Sequence, residues 1–192
     1  MNNPPRLIGL YSPAPGSGKS TIARILQDHH GYAILPLATP IKIMTCAFLE
    51  ELGVNEARSY NYCFRDKEAV IPEAGVSARH IMQTLGTEWG RQCIHPEVWL
   101  RAWESQYRAH SPTTPIVVDD IRFLNEAKFL ERLGATLWGV CRPGTEREST
   151  HSSEGDLDTY AGFDARIVNK GSIDDLAAVL RHHLEAPVGV AA

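Results

Sequence analysis

The stretch PAPGSGKST, Pro13–Thr21, constrains this chain more than any other. It follows the short apolar run RLIGLY, Arg6–Tyr11, which reads as a buried strand. After it, Ile22, Ile25 and Leu26 share one face of a helix expected from about Ser20 to His29. A strand, a glycine-rich turn and a helix, in that order, make a cradle for phosphate. Gly16 and Gly18 permit the positive φ angles that turn backbone N–H groups inward. Lys19 then reaches the terminal phosphates, Ser20 offers a hydroxyl to Mg²⁺, and the helix presents its N-terminus. The usual loop pattern has glycine where this chain has Pro13. Proline fixes φ at about −65° and removes one N–H. The loop tolerates that if this N–H is not a phosphate donor.

The rest of the chain alternates short apolar runs with helical periodicity. Tyr32–Leu37 reads as a second strand. Pro40 opens a helix carrying Ile43, Ala47 and Leu49, which Gly53 ends. Asn55–Gly75 reads as polar and irregular. Ser77 is placed to cap a helix running through about Gln92, and Pro96 opens another in which Leu100, Trp103 and Tyr107 recur. Trp99 and Trp103 read as core, and Trp89 as core rather than as a stacking platform. Pro115–Ile121 is the clearest strand. Phe123, Ala127, Leu130 and Leu133 make an amphipathic helix closed by Gly134. Ala135–Cys141 and Ala165–Val168 are strands, and Ile173, Leu176, Ala177, Leu180 and Leu184 form a last helix. This rhythm predicts an α/β fold with a parallel sheet covered on both faces, in one domain spanning residues 1–192. Pro143–Tyr160, polar and serine-rich, interrupts it between two core strands. A surface loop or a lid over an active site are the two readings, and long loops in compact domains favour the lid.

Several function classes fall away. No run of eighteen apolar residues is present, so no membrane span is expected. The N-terminus lacks the pattern of a secretory signal, and a cytoplasmic protein is expected. The net charge of −4 argues against stable nucleic-acid binding, which needs a basic face, but admits a small phosphorylated substrate held by local arginines. Cys46, Cys63, Cys93 and Cys141 show no C-x-x-C pair and read as reduced thiols. The pairs His29–His30 and His182–His183 lack metal-ligand spacing to any other cluster.

The segment VVDDIRFLNEA puts Asp119 and Asp120 at the end of a buried strand, where carboxylates fit a Mg²⁺-organising position opposite the loop. Arg122 follows closely, and a cation there suits a second phosphate. Glu126 either orients Arg122 or takes part in binding.

At this point the chain resembles a known family. PAPGSGKST resembles the GAPGSGKGT loop of adenylate kinases, differing at Pro13 and Ser20. DIRFLNEA resembles the D-[VI]-R-F-x-N-E-A motif of deoxynucleoside monophosphate kinases from tailed bacteriophages. RHIMQTLGTEWGRQ (Arg79–Gln92) resembles that family's L-Q-x-L-G-T-x-x-x-R element, HSSE (His151–Glu154) its lid, and IVNKGSIDDL (Ile167–Leu176) its closing strand and helix. The resemblance implies a P-loop kinase fold with a five-stranded parallel sheet and a lid at about 143–160. It implies ATP- and Mg²⁺-dependent phosphorylation of deoxynucleoside monophosphates to diphosphates. Gly16, Ser17, Gly18, Lys19, Ser20 and Thr21 would then hold ATP. Ser20, Asp119 and Asp120 would serve the metal, the motif favouring Asp120. Lys19, Asp120, Arg122 and Arg142 would be catalytic. Lys42, Arg79, Gln83, Thr87, Arg91, Arg122 and Glu126 would bind the acceptor, and Arg147, His151 and Glu154 would belong to the lid. The partners implied are small-molecule nucleotides; a homodimer is left open. Two other readings remain: a P-loop kinase of another acceptor, such as dephospho-coenzyme A or a hydroxymethylated base in DNA, and a non-catalytic ATP-binding switch.

Overall fold

The computed structural model describes residues 4–145, 157 and 160–185. Arg147, His151, Glu154 and most of the expected lid lie outside them. In chain order the elements are β1 (Leu7–Tyr11), α1 (Lys19–His30), β2 (Ala33–Ile34), α2 (Thr39–Glu51), α3 (Glu56–Phe64), β3 (Val70–Ile71), β4 (Val76–Ser77) and α4 (Ala78–Thr84). A π-helical segment (Leu85–Ile94), α5 (Val98–Ala109), β5 (Ile116–Ile121), α6 (Leu124–Arg132), β6 (Thr136–Cys141), β7 (Ala165–Val168) and α7 (Ile173–Glu185) follow. The chain divides into two compact units: Met1–Pro36 with His110–Ala192, and Leu37–Ala109.

The first unit is a five-stranded sheet in the order β2-β5-β1-β6-β7, every pair of neighbours parallel. All five residues of β1 are buried, as a central parallel strand requires. Their side chains alternate. Ile8 and Leu10 enter a core built with Ile22 and Leu26 of α1, Trp138 and Val140 of β6, and Leu176 and Leu180 of α7. The opposite face is filled from α6: a side chain added at Gly9 would strike Ile121, Leu137 and Leu130. Glycine there lets the second layer close onto the sheet.

Strand β5 carries an irregularity that matters for the site. Gly9 of β1 pairs with Val118, but Tyr11 pairs with Ile121. Three residues of β5 therefore span what two residues of β1 span, and the extra residue falls within Asp119–Asp120. This is a bulge, and a bulge changes which face the following side chains serve.

The second unit departs from the sequence reading in four places. Asn55–Gly75 is not irregular throughout. Asn55 caps α3, its side chain accepting from Arg58 N at 3.0 Å, and β3 and β4 pair as an antiparallel hairpin. The buried positions of α3 are Ser59 and Cys63, so no apolar stripe advertises it. Ile43 is 50% exposed, whereas α2 buries Thr45 and Leu49. Thr45 enters the core because its hydroxyl donates back to the Ile41 carbonyl at 2.9 Å, leaving no unpaired polar group. The helix capped by Ser77 widens into the π-helical segment at Leu85. There the indole of Trp99 donates to the Gly86 carbonyl at 2.9 Å and occupies the space a Gly90 side chain would need. Trp99 and Trp103 are core, as expected, but Trp89 is 44% exposed and leans on Trp99 with ring centroids 6.0 Å apart.

Candidate active site

The loop between β1 and α1 has the expected backbone. Gly16 and Gly18 take φ of 71° and 106°, and Gly18 is the N-cap of α1. No side chain caps this helix and no acid lies in its first turn. Its leading N–H groups thus stand without local competitors for an anion. Pro13 is exposed on the approach to the loop, where the Ser12 hydroxyl accepts from Ala14 N at 3.3 Å.

Four charged groups meet at this loop. Lys19 is partly buried, and its pKa lies below the ordinary lysine value. Burial is the main cause, followed by the charge of Arg122; Asp119 and Asp120 act in the opposite sense. The charge of Arg122 disfavours that of Lys19, and an anion entering beside Lys19 would relieve it. Ser20 donates its hydroxyl to Asp119 Oδ2 at 3.2 Å. The sequence motif favours Asp120 as the metal-side acid, but the geometry joins Asp119 to the loop serine. Strand alternation accounts for this. Val117, on the α1 side, belongs to the same core as Ile22, and Asp119 two residues on continues that face.

Arg122 is exposed just beyond β5. Its backbone N–H and that of Phe123 donate to Glu126 Oε2 at 2.9 and 3.1 Å. Glu126 is 5% exposed, and this reach-back over the first turn of α6 is the half of a capping box that acidic residues supply. Of the two roles open to Glu126, the geometry supports orienting Arg122. Glu126→Ala removes the acceptor for two N–H groups and should lower unfolding stability by about 2 kcal/mol. Urea melts of the two proteins check this; an unchanged midpoint would mean that the turn holds without it.

Arg142 is exposed after β6, and its carbonyl accepts from the Thr145 hydroxyl at 2.7 Å. The remaining candidates lie in the second unit. Arg79 pairs with Glu68, and Lys42 lies over the Phe64 ring at 5.1 Å. Gln83 and Thr87 are exposed and Arg91 is half-buried. One residue outside the expected set touches the loop: Asn169, directly after β7, donates from Nδ2 to the Ser17 carbonyl at 3.0 Å. Its signals were a polar residue ending an apolar strand and its place within IVNKGSIDDL.

Comparison with known proteins supplies a family and a fold. A family model described as deoxynucleotide monophosphate kinase matches residues 47–180. A protein of Acanthamoeba polyphaga mimivirus, provisionally named a deoxynucleotide monophosphate kinase, is 29% identical over 179 residues, covering 88% of this chain and 91% of the relative. The deoxynucleotide monophosphate kinase of Enterobacteria phage T4 is 30% identical over 111 residues, which are 57% of this chain and 46% of the phage protein. The match thus spans less than half of that relative. Among solved structures, the dephospho-CoA kinase from Campylobacter jejuni superposes with a TM-score of 0.51 at 14% identity, covering 94% of this chain and 98% of that one. At that identity the likeness is one of fold.

Proposed function

The chain belongs to the deoxynucleotide monophosphate kinase family, and from that premise we propose that it transfers the terminal phosphoryl group of ATP to a deoxynucleoside monophosphate, giving two diphosphates. The observation that carries this reading is the Ser20–Asp119 hydrogen bond at the phosphate loop, with the charge of Arg122 acting on Lys19. A phosphate loop needs Lys19 and Ser20 for one nucleotide; a second cation at the same place suits an acceptor phosphate.

Each residue has a proposed task. The Gly16–Thr21 backbone and Lys19 hold the donor phosphates. Ser20 and Asp119 present a hydroxyl and a carboxylate, hard oxygen donors of the kind Mg²⁺ takes together with substrate phosphates and water. So sparse a protein ligand set agrees with the lack, among the described residues, of any group of three or more His, Cys, Asp or Glu able to hold a metal alone. The ion, when bound, neutralises charge on the donor phosphates. Arg122, its backbone fixed by Glu126, grips the acceptor phosphate. No general base is required, because the acceptor oxygen is already anionic. Arg142 and the lid residues Arg147, His151 and Glu154 act at the transferring group and exclude water. Lys42, Arg79, Gln83, Thr87 and Arg91 serve the acceptor. Residues 1–192 act as one catalytic domain, working on free nucleotides in the host cytoplasm. No helix among the described residues is long and apolar enough to cross a membrane.

Turnover across all deoxy- and ribonucleoside monophosphates, read by coupled ADP release, tests the reading. Activity on none of them, with activity on dephospho-coenzyme A or DNA, would replace it with the kinase of another acceptor. Nucleotide binding without any transfer would make the chain a switch. Within the reading, Asp119→Asn should reduce kcat by about 100-fold or more, the scale of a lost charge-stabilising contact. Asp120→Asn should cost less. The reverse order would return the metal role to Asp120.

A further inference from the structure

Asn169 has no part in the reading above, yet it packs directly on the phosphate loop. It sits 152 positions from Ser17 in sequence, and its Nδ2 donates to the Ser17 carbonyl in a buried hydrogen bond of 3.0 Å. Its own position is fixed from behind, because Asn169 N donates to the Cys141 carbonyl at 2.8 Å and so extends the β6–β7 ladder. The residue is 8% exposed. A side chain added at Gly18 would come within 2.4 Å of Asn169 Nδ2, so the amide nitrogen abuts the loop backbone.

Ser17 contributes no tie of its own: among the described residues its hydroxyl, though buried, finds no hydrogen-bond partner. The loop is therefore held at this residue through the carbonyl. A trans peptide points its C=O and the following N–H in opposite directions. With the Ser17 carbonyl directed at Asn169, the Gly18 N–H is directed away from it. Gly18 is also where the chain is least constrained by its own side chain, with φ of 106°. Rotation of the Ser17–Gly18 peptide would reverse that donor, and nothing local forbids it.

We propose that Asn169 is a positioning residue for the donor nucleotide: its amide locks the Ser17–Gly18 peptide, so that the Gly18 N–H is presented to phosphate before the nucleotide arrives. This rests on the phosphate-transfer reading above and assigns Asn169 no contact with substrate. The same residue also helps line a cavity of about 250 Å³ with Val168, Lys170, Gly171 and Leu176. A rival role, contact with the base of the donor, follows from that and has a different signature.

The test uses the full chain, with wild-type transfer to a monophosphate established first; failure there would count against the functional reading, not against Asn169. Asn169→Ala should raise KM for ATP by about tenfold, the scale of one buried hydrogen bond, and leave KM for the monophosphate within about twofold. The loss should be the same with GTP as donor as with ATP. Asn169→Asp adds a readout that a structural role does not move. Ionised, its carboxylate cannot donate to a carbonyl; protonated, it can. Its activity relative to wild type should therefore climb as pH falls from about 8 to about 5.5, since a carboxyl group beside a buried carbonyl titrates above its ordinary range. Wild-type ATP affinity in both variants would overturn the proposal. So would equal loss for both substrates with a lowered melting temperature, a flat relative pH profile for Asn169→Asp, or a loss confined to one donor base.

Discussion

Lys19→Ala is expected to fold normally and to lose phosphoryl transfer by roughly 10²–10⁴-fold in kcat/KM. The size follows from the charge-assisted bonds that a loop lysine makes to the donor phosphates, each worth about 1.5–3 kcal/mol, and from about 1.4 kcal/mol per tenfold in rate. The folding half of the claim comes from the electrostatics of Lys19. Burial and the neighbouring Arg122 both disfavour its charge, so the folded protein without ligand bears a cation it does not favour. The sign follows: a lysine whose folded pKa is lowered opposes folding while it stays charged. Alanine removes that opposition, and the melting temperature should hold or rise. Coupled ADP release and a thermal melt on the same preparation measure both halves. A well-folded variant with near-normal turnover would remove the phosphate loop from the mechanism.

Arg122→Lys is expected to slow transfer by about 30- to 1,000-fold, or roughly 2–4 kcal/mol of transition-state stabilisation, while ATP binding stays nearly intact. The charge is kept; what is lost is the planar fork that grips a phosphate through two parallel hydrogen bonds. The backbone at this position is tied to Glu126 through two N–H bonds, so the side chain projects from a fixed root. A flexible lysine on the same root reaches the acceptor as a point charge only. Titration of ATP binding against monophosphate-dependent turnover separates the two sites. If ATP affinity collapsed while monophosphate dependence stayed unchanged, Arg122 would belong to the donor, and the acceptor role would pass to Arg79 and Arg91.

Much of the catalytic unit is legible along the chain. The central strand β1 announces itself as a short apolar run, because a strand buried on both faces has no polar positions to show. The loop is legible because a phosphate cradle needs particular residue types: glycine where φ is positive, a lysine, a hydroxyl. Those demands are local, so Gly16, Gly18, Lys19 and Ser20 carry them whatever lies elsewhere. The second unit is less legible for an equally plain reason. Its buried positions include Thr45, Ser59 and Cys63, whose polar atoms are paired with nearby backbone or lie packed among apolar neighbours. Hydrophobic periodicity does not register such residues. Trp89 was misread because its fate depends on how far the helix widens around Trp99.

Two features of the site were decided by the tertiary structure alone. Asn169 meets Ser17 only because β7 ends beside the loop that follows β1, and no periodicity joins positions so far apart. Which of the two strand-end acids bonds Ser20 is the clearest case. Both lie at the end of the same strand, and counting along a motif favours Asp120. Asp119 turns toward Ser20 because it shares the face of Val117, and only the packing of the sheet on α1 shows that this face meets the loop helix. A strand's side chains alternate by sequence, but the partner each face meets is set by the packing of the sheet.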